Sequence, residues 1–274
     1  MLPSYLLSLR EGLEAALIIG IVIGTLRKIN RSELVGVVWA GSLSAAGLSL
    51  LAAIALNRLG ASLEGRAEEI FEGLTMFLAS GVLTWMIFWM HRQARNMRYE
   101  LESGVRRTTS QGGQGGLFLL AFTAVLREGI ELALFLTAAA LATDAQQVLS
   151  GALLGLGTAI LLGWSLFASL LKLDLRRFFQ VTGVLLILFA AGLFAHGVHE
   201  FIAASLIPPI VENVWNINFV LDENSTLGIL LGALFGYNGN PSLTEVLAYL
   251  GYFVVILIGL RRINASALLA TQKV

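Results

Sequence analysis

Residues 3–26 read PSYLLSLREGLEAALIIGIVIGTL, an apolar run interrupted by Arg10, Glu11 and Glu14. Its length suits a helix crossing about 30 Å of hydrocarbon, which takes about 20 residues. Met1 to Leu9 carries no basic residue, and charges interrupt the apolar stretch. The run therefore reads as a retained first span rather than a cleaved signal peptide. The same pattern returns at residues 116–142, GLFLLAFTAVLREGIELALFLTAAALA, where Arg127, Glu128 and Glu131 stand in an equally apolar setting.

The rest of the chain is of the same kind. Hydrophobic residues make up 57% and charged residues 13% of 274, against about 25% charged in soluble domains, and the mean hydropathy is +0.80. The composition predicts an all-α polytopic membrane protein, a single transmembrane domain over 1–274. Seven spans are expected, at 3–26, 34–57, 68–90, 116–142, 148–171, 178–204 and 243–260. Many of the 29 glycines fall inside these spans, where small residues let helices approach closely. With no cysteine in the chain, disulfides, thiolate metal sites and cysteine nucleophiles are excluded.

Orientation follows from the basic residues of the connections. Arg27, Lys28 and Arg31 follow span one, and Arg92, Arg95, Arg98, Arg106 and Arg107 follow span three. Lys172, Arg176 and Arg177 follow span five, and Arg261, Arg262 and Lys273 lie in the tail. The opposite connections carry only Arg58 and Arg66. This asymmetry places the N-terminus outside and the C-terminus in the cytoplasm, and the odd number of spans agrees. Anionic lipid accounts for the basic clusters, and nucleic-acid binding is not supported. Residues 99–115, rich in Gly, Ser, Thr and Gln, are expected to form a mobile linker. Within the outer loop 205–242, the run Leu227 to Phe235 is too short to span and suits an interfacial or re-entrant helix.

The recurrence divides the chain into repeat one (about 3–90), repeat two (about 116–204) and an unpaired seventh helix (243–260). Because each repeat has three crossings, the second enters from the opposite side, giving inverted topology about an axis in the membrane plane. At about 100° per residue, Glu11 and Glu14 lie about 100° and 40° from Arg10, so each motif puts its charges on one stripe. Ionisable groups in a bilayer are costly and need a reason. The bland reading is a scaffold in which each Arg neutralises its own Glu. Two Arg and four Glu nevertheless leave two formal negative charges, which protons or a translocated cation can offset. Converging carboxylates are hard oxygen ligands suited to Fe, Mn, Mg or Ca.

Arg10-Glu11-Gly12-Leu13-Glu14 and Arg127-Glu128-Gly129-Ile130-Glu131 resemble the paired REGLE motifs of the iron permease family, which contains the fungal high-affinity iron permease and the bacterial EfeU proteins. The resemblance extends over nearly the whole chain, with Ile130 in place of Leu. It implies an iron permease, not an enzyme, importing iron across the cytoplasmic membrane. Glu11, Glu14, Glu128 and Glu131 would be the iron-binding carboxylates, with Arg10 and Arg127 supporting them. It also implies iron as cargo rather than a permanently bound cofactor, and ferric iron in the oxidase-linked members. The implied partners are a ferroxidase, or a periplasmic iron-donor protein with a haem peroxidase, besides membrane lipids.

Further groups can serve the path. Glu69 and Glu72 share a face at the outer start of span three beside Glu64 and Glu68, and a negative mouth concentrates cations. Acids at a helix start are also expected without function. His199 and Glu200, near the outer end of span six, offer imidazole and carboxylate ligands or interfacial anchors. His196 lies on the same face as His199. Glu245 begins span seven, either capping it or lining the path. Transport of another divalent cation such as manganese, and an intramembrane enzyme using Glu and His, are the alternative functions.

Overall fold

The computed structural model describes residues 1–93, 97–110, 113–167, 174–223 and 225–271. Arg95, Lys172 and Lys273, used above for orientation, lie outside them, as do the expected last residues of span five. Within the described residues the chain is all α-helix and turn. The helices are α1 (Leu2–Lys28), α2 (Val35–Gly60), α3 (Arg66–Gln93), α4 (Met97–Ser110), α5 (Gln114–Ala142), α6 (Ala145–Phe167), α7 (Leu175–Ala203), α8 (Thr226–Phe235) and α9 (Leu243–Thr271).

Each of the seven expected spans is one helix. Five of these segments, within Ser32–Gly60, Arg66–Trp89, Ala145–Phe167, Arg177–Ala203 and Leu243–Arg262, are long and apolar enough to cross a membrane. The chain is thus a multi-pass membrane protein. Helices α1 and α5 match the five in length, with 27 and 29 residues, and what sets them apart is the charged motif each carries at mid-helix. Helix α1 starts with Pro3, which suits a first turn, and ends with Arg27 and Lys28 against the negative end of its dipole. Leu43, Leu50 and Leu51 on α2 and Leu153, Ile160 and Leu161 on α6 are exposed. Such rows would be a liability in water and are at home against lipid.

Residues 99–115 depart from expectation, because most of the proposed linker is helix α4. Its Leu101, Val105 and Thr108 share one face by i, i+4 and i+7 spacing, and Val105 is fully buried. Glu100 in its first turn and Arg107 in its last complement the helix dipole. Composition reads as linker here, but one apolar stripe and good end charges suffice once a core is available to receive them.

Two compact units arise. One contains α1, α2, α4, most of α5, α6 and the first turns of α7; the other contains α3, the rest of α7, α8 and α9. In the first, helix approach is set by small residues and follows a repeating register. A Cβ added at Gly12 of α1 would stand 2.7 Å from the Ala159 Cβ of α6, and one at Gly129 of α5 would stand 2.6 Å from the Ser49 Cβ of α2. Likewise Gly151 of α6 lies against the Met1 carbonyl and Ser4, while Gly41 of α2 lies against the Phe118 carbonyl and Ala121. An offset of 117 residues converts Met1, Ser4 and Gly12 into Phe118, Ala121 and Gly129, and an offset of 110 converts Gly41 and Ser49 into Gly151 and Ala159.

The second unit has its own reciprocal crossing. A Cβ at Gly73 of α3 would lie 3.1 Å from the Gly197 carbonyl of α7, and one at Gly197 would lie 3.1 Å from the Gly73 carbonyl. Gly73 also meets Phe201, as Gly197 meets Phe77, an offset of 124 residues. Ser80 Oγ donates to the Ala190 carbonyl at 2.8 Å across the same pair of helices. Helix α8 is capped by Ser225, whose Oγ accepts from Gly228 N at 3.0 Å. It stops at Gly236, where φ of 67° and backbone contact with Gly192 both disfavour a side chain. The run Leu227–Phe235 is thus helical, as its apolarity suggested.

Candidate functional site

Both motifs sit in the first unit, and their carboxylates are buried. Among the described residues Arg10 is the largest fully enclosed side chain, and Glu11, Glu14, Glu128 and Glu131 are all buried. Its guanidinium reaches Glu11 Oε1 at 2.8 Å through Nη1 and Glu14 Oε1 at 3.0 Å through Nη2. In the second motif Arg127 Nε donates to Glu131 Oε1 at 2.9 Å. The i, i+4 pairing expected of the bland reading therefore exists in both motifs, since helix geometry puts those positions together. The two arginines differ in setting: the Arg10 side chain is 2% exposed and that of Arg127 is 33% exposed.

The pairs do not use up the carboxylates. Single oxygens of Glu11, Glu128 and Glu131 lie within 4.8 Å of one another. Among the described residues this is the one trio of acidic or imidazole side chains so gathered. Metal–oxygen bonds run about 2.0–2.6 Å for hard cations, so ligands on opposite sides of an ion stand about 4–5 Å apart. Oε2 of Glu11, of Glu128 and of Glu131 are buried without a hydrogen-bond partner. Native buried polar atoms are nearly always satisfied, and an exception asks for an ion or water. Three like charges at such distances repel strongly in a low dielectric, and a cation reverses the sign of that interaction.

Gly12 and Gly129 set how closely the two charged helices pack against their neighbours. Each lies between the two glutamates of its motif and lets the opposing helix, α6 or α2, pack against the backbone of the charged helix. Leu9 and Leu13 pack with Ala159 in an apolar cluster, so the stripe beside the charges is anchored. The sequence showed the motif glycines but gave no sign that Ala159 and Ser49 are the residues they receive.

The other candidates lie in the second unit. Glu69, Glu72 and Glu200 are half-buried and His199 is exposed; no three of these four bring ligand atoms within 4.8 Å of one another. His199 instead contacts Glu245, Nδ1 to Oε1, at 3.1 Å, and its ring centroid is 5.9 Å from that of His196. Glu245 is a structural hub. It accepts from Ser242 Oγ at 2.8 Å and from Asn238 Nδ2 at 2.9 Å. Ser242 Oγ in turn accepts from Glu245 N at 3.3 Å, a capping box at the start of α9. The Ser-x-x-Glu spacing of residues 242–245 was a legible signal for it.

Residues 1–270 match the model of the iron permease FTR1 family. The chain belongs to the iron permease FTR1 family. It is 36% identical over 260 residues to a protein named ferrous iron permease EfeU from Escherichia coli O6:K15:H31 (strain 536 / UPEC), covering 94% of each chain. It is 34% identical over 280 residues to a protein of the same name from Yersinia pestis, covering 100% of this chain and 99% of the relative. A relative from Escherichia coli K12, also 36% identical over 260 residues, is named a putative inactive ferrous iron permease EfeU. No solved structure matches. The family's members are permeases, and iron is the cargo of this chain rather than a resident group.

Proposed function

We propose that this iron permease carries ferrous iron inward across the cytoplasmic membrane, through a site made by Glu11, Glu128 and Glu131 with Glu14 beside them. The observation that carries the reading is the convergence of the three glutamates from α1 and α5 with their unpartnered oxygens. Charge balance supports the valence. Four glutamates and two arginines leave a deficit of two, which one divalent ion offsets. The names of the relatives give ferrous iron, in place of the ferric iron suggested by the oxidase-linked members of the family. Arg10 and Arg127 hold the remaining carboxylate charge and so keep the site from requiring two cations.

The seven helices act as seven spans in this reading, with the N-terminus outside and the C-terminus in the cytoplasm. Basic residues of the connections support the orientation. Repeats at about 3–90 and 116–204 with inverted topology are supported by the reciprocal contacts, since a two-fold axis makes each contact occur twice with partners exchanged. Glu69, Glu72, His199 and Glu200 serve as outer-side attraction for cations rather than as the central ligands. A periplasmic iron-donor protein with a haem peroxidase, or a ferroxidase, acting on the outer face rests on the family resemblance alone.

The test is uptake of radioactive iron into proteoliposomes, supplied as ferrous ion under ascorbate or as ferric citrate, with manganese as competitor. Ferrous uptake that resists excess manganese supports the reading. Equal transport of iron and manganese would replace it with a general divalent carrier, and ferric-only uptake would overturn the valence.

A further inference from the structure

Hydroxyls inside apolar helices commonly satisfy themselves by donating to the carbonyl one turn back. In the first unit Thr25, Ser49, Thr137 and Thr158 each do so, at 2.7, 2.9, 2.8 and 2.8 Å. Ser4 donates to the Met1 carbonyl at 2.8 Å. Ser8, one turn farther along α1, does not. It is fully buried, and its Oγ has no hydrogen-bond partner. A buried hydroxyl left in this condition costs stability and asks for an ion or water.

Ser8 precedes Glu11 by three residues, so the two are neighbours on α1, with Cβ atoms about 5–6 Å apart. Helical side chains lean toward the helix N-terminus, which brings the Glu11 carboxylate back over the turn that carries Ser8. Arg10 holds Glu11 Oε1 at 2.8 Å, whereas Glu11 Oε2, like Ser8 Oγ, is buried and unpartnered. A donor and an acceptor thus stand one turn apart without bonding to each other, and a third group between them would satisfy both. Oε2 of Glu128 and of Glu131, the residues that gather with Glu11, is in the same condition.

Packing alone does not call for a hydroxyl at this position. Ser8 belongs to the seam of α1 on α6, where a Cβ added at Gly155 would stand 2.9 Å from the Ser8 Cβ. The seam needs a small side chain there, and alanine would supply one. The offsets that relate the two seams carry Ser8 and Gly155 to Val125 and Ala45, which are both buried and both apolar. One motif is therefore preceded by a serine and the other, at the same helical position, by a valine.

We propose that Ser8 Oγ is a further ligand of the iron, joining Glu11, Glu128 and Glu131 on the outer side of the ion. A hydroxyl is a hard oxygen donor that suits such cations. It carries no charge, so it fills a coordination position while the deficit of two still matches one divalent ion. This inference rests on the glutamate site and the orientation proposed above.

Ser42 provides the internal comparison. Its Oγ is also buried and unpartnered, but it lies on α2 seven residues before Ser49, the residue that meets Gly129. That separation puts it about 10 Å along α2 from the level of the motif. Ferrous iron binding to the purified parent, Ser8→Ala and Ser42→Ala is measured by equilibrium dialysis under ascorbate, with thermal unfolding beside it. Ser8→Ala is expected to weaken iron binding about tenfold without lowering the melting temperature, because it removes an unsatisfied group. Ser42→Ala is expected to bind iron as the parent does. Parental affinity in Ser8→Ala, or an equal loss in both variants, overturns the proposal. Because the chain has no cysteine, Ser8→Cys gives a second reading. A thiolate favours soft ions, so cadmium is expected to produce an ultraviolet thiolate charge-transfer band in Ser8→Cys and none in Ser42→Cys. No band in Ser8→Cys at cadmium concentrations that displace bound iron, or equal bands in the two variants, overturns it as well. Glu128→Gln separates the two claims: if it loses iron while Ser8→Ala keeps it, the serine ligand fails and the glutamate site stands; if it keeps iron, the glutamate site itself fails.

Discussion

Replacing Gly12 by Ala tests the close packing of the first charged helix, α1, against α6. The new Cβ would meet the Ala159 Cβ at 2.7 Å, about 1 Å inside ordinary carbon–carbon contact. Leu156 Cδ2, 3.2 Å away, can rotate; the Ala159 methyl cannot. Helix α1 must then move from α6, at an overpacking cost of about 1–3 kcal/mol. Glu11 and Glu14 move with it, so iron uptake is expected to fall along with stability. Ala159→Gly alone loses about 1 kcal/mol of helix propensity. Together the two changes exchange the methyl between helices, and the double variant should recover to within about 0.5 kcal/mol of the parent, a coupling outside the additive range. The reciprocal register expects the same of Gly129→Ala with Ser49→Gly. Thermal unfolding in detergent, read beside iron uptake in vesicles, measures both. Additive losses in the two double variants would refute the packing argument, and rescue in one pair alone would refute the equivalence of the repeats.

Arg10→Met should destabilise by about 3–5 kcal/mol, the usual cost of stranding a buried charge, because Glu11 and Glu14 both face that guanidinium. Arg127→Met, at a side chain one-third exposed, should cost distinctly less; the contrast is read as membrane abundance and melting temperature. Ser242→Ala removes the N-terminal cap of α9 and should cost about 0.5–2 kcal/mol, while its initial rate of iron uptake per folded molecule stays unchanged. Iron uptake should fall as the external pH is lowered, because protons and iron compete for the same carboxylate oxygens. A rate that rises on acidification would contradict carboxylate ligation.

The helices were legible because lipid demands long unbroken apolar runs, and the seven runs beginning at residues 3, 34, 68, 116, 148, 178 and 243 each became one helix. The motif was legible for the converse reason, that Arg10, Glu11 and Glu14 have no bland place in such a run. Helix α4 was not, since Leu101 and Val105 give only one faint stripe in a polar segment and its core is supplied by residues distant in sequence. The choice among glutamates was also hidden. Periodicity puts Glu11 and Glu14 on one stripe, and only the packed helices show that oxygens of Glu11, Glu128 and Glu131 gather within 4.8 Å of one another. Glu245 read as a cap or as lining the path, and Ser242, Asn238 and His199 fill its oxygens as a structural hub.

The most direct measurement is the amount of iron bound by the purified permease, determined by equilibrium dialysis with ferrous iron under ascorbate and repeated on Glu128→Gln. This substitution keeps the shape and removes one charge from a buried trio, so the variant should remain folded and be present in the membrane at parental levels. The expected result is one iron per parent chain and at least a tenfold loss of affinity in Glu128→Gln, with uptake falling in parallel. Undiminished iron binding by a folded Glu128→Gln protein would contradict the glutamate site.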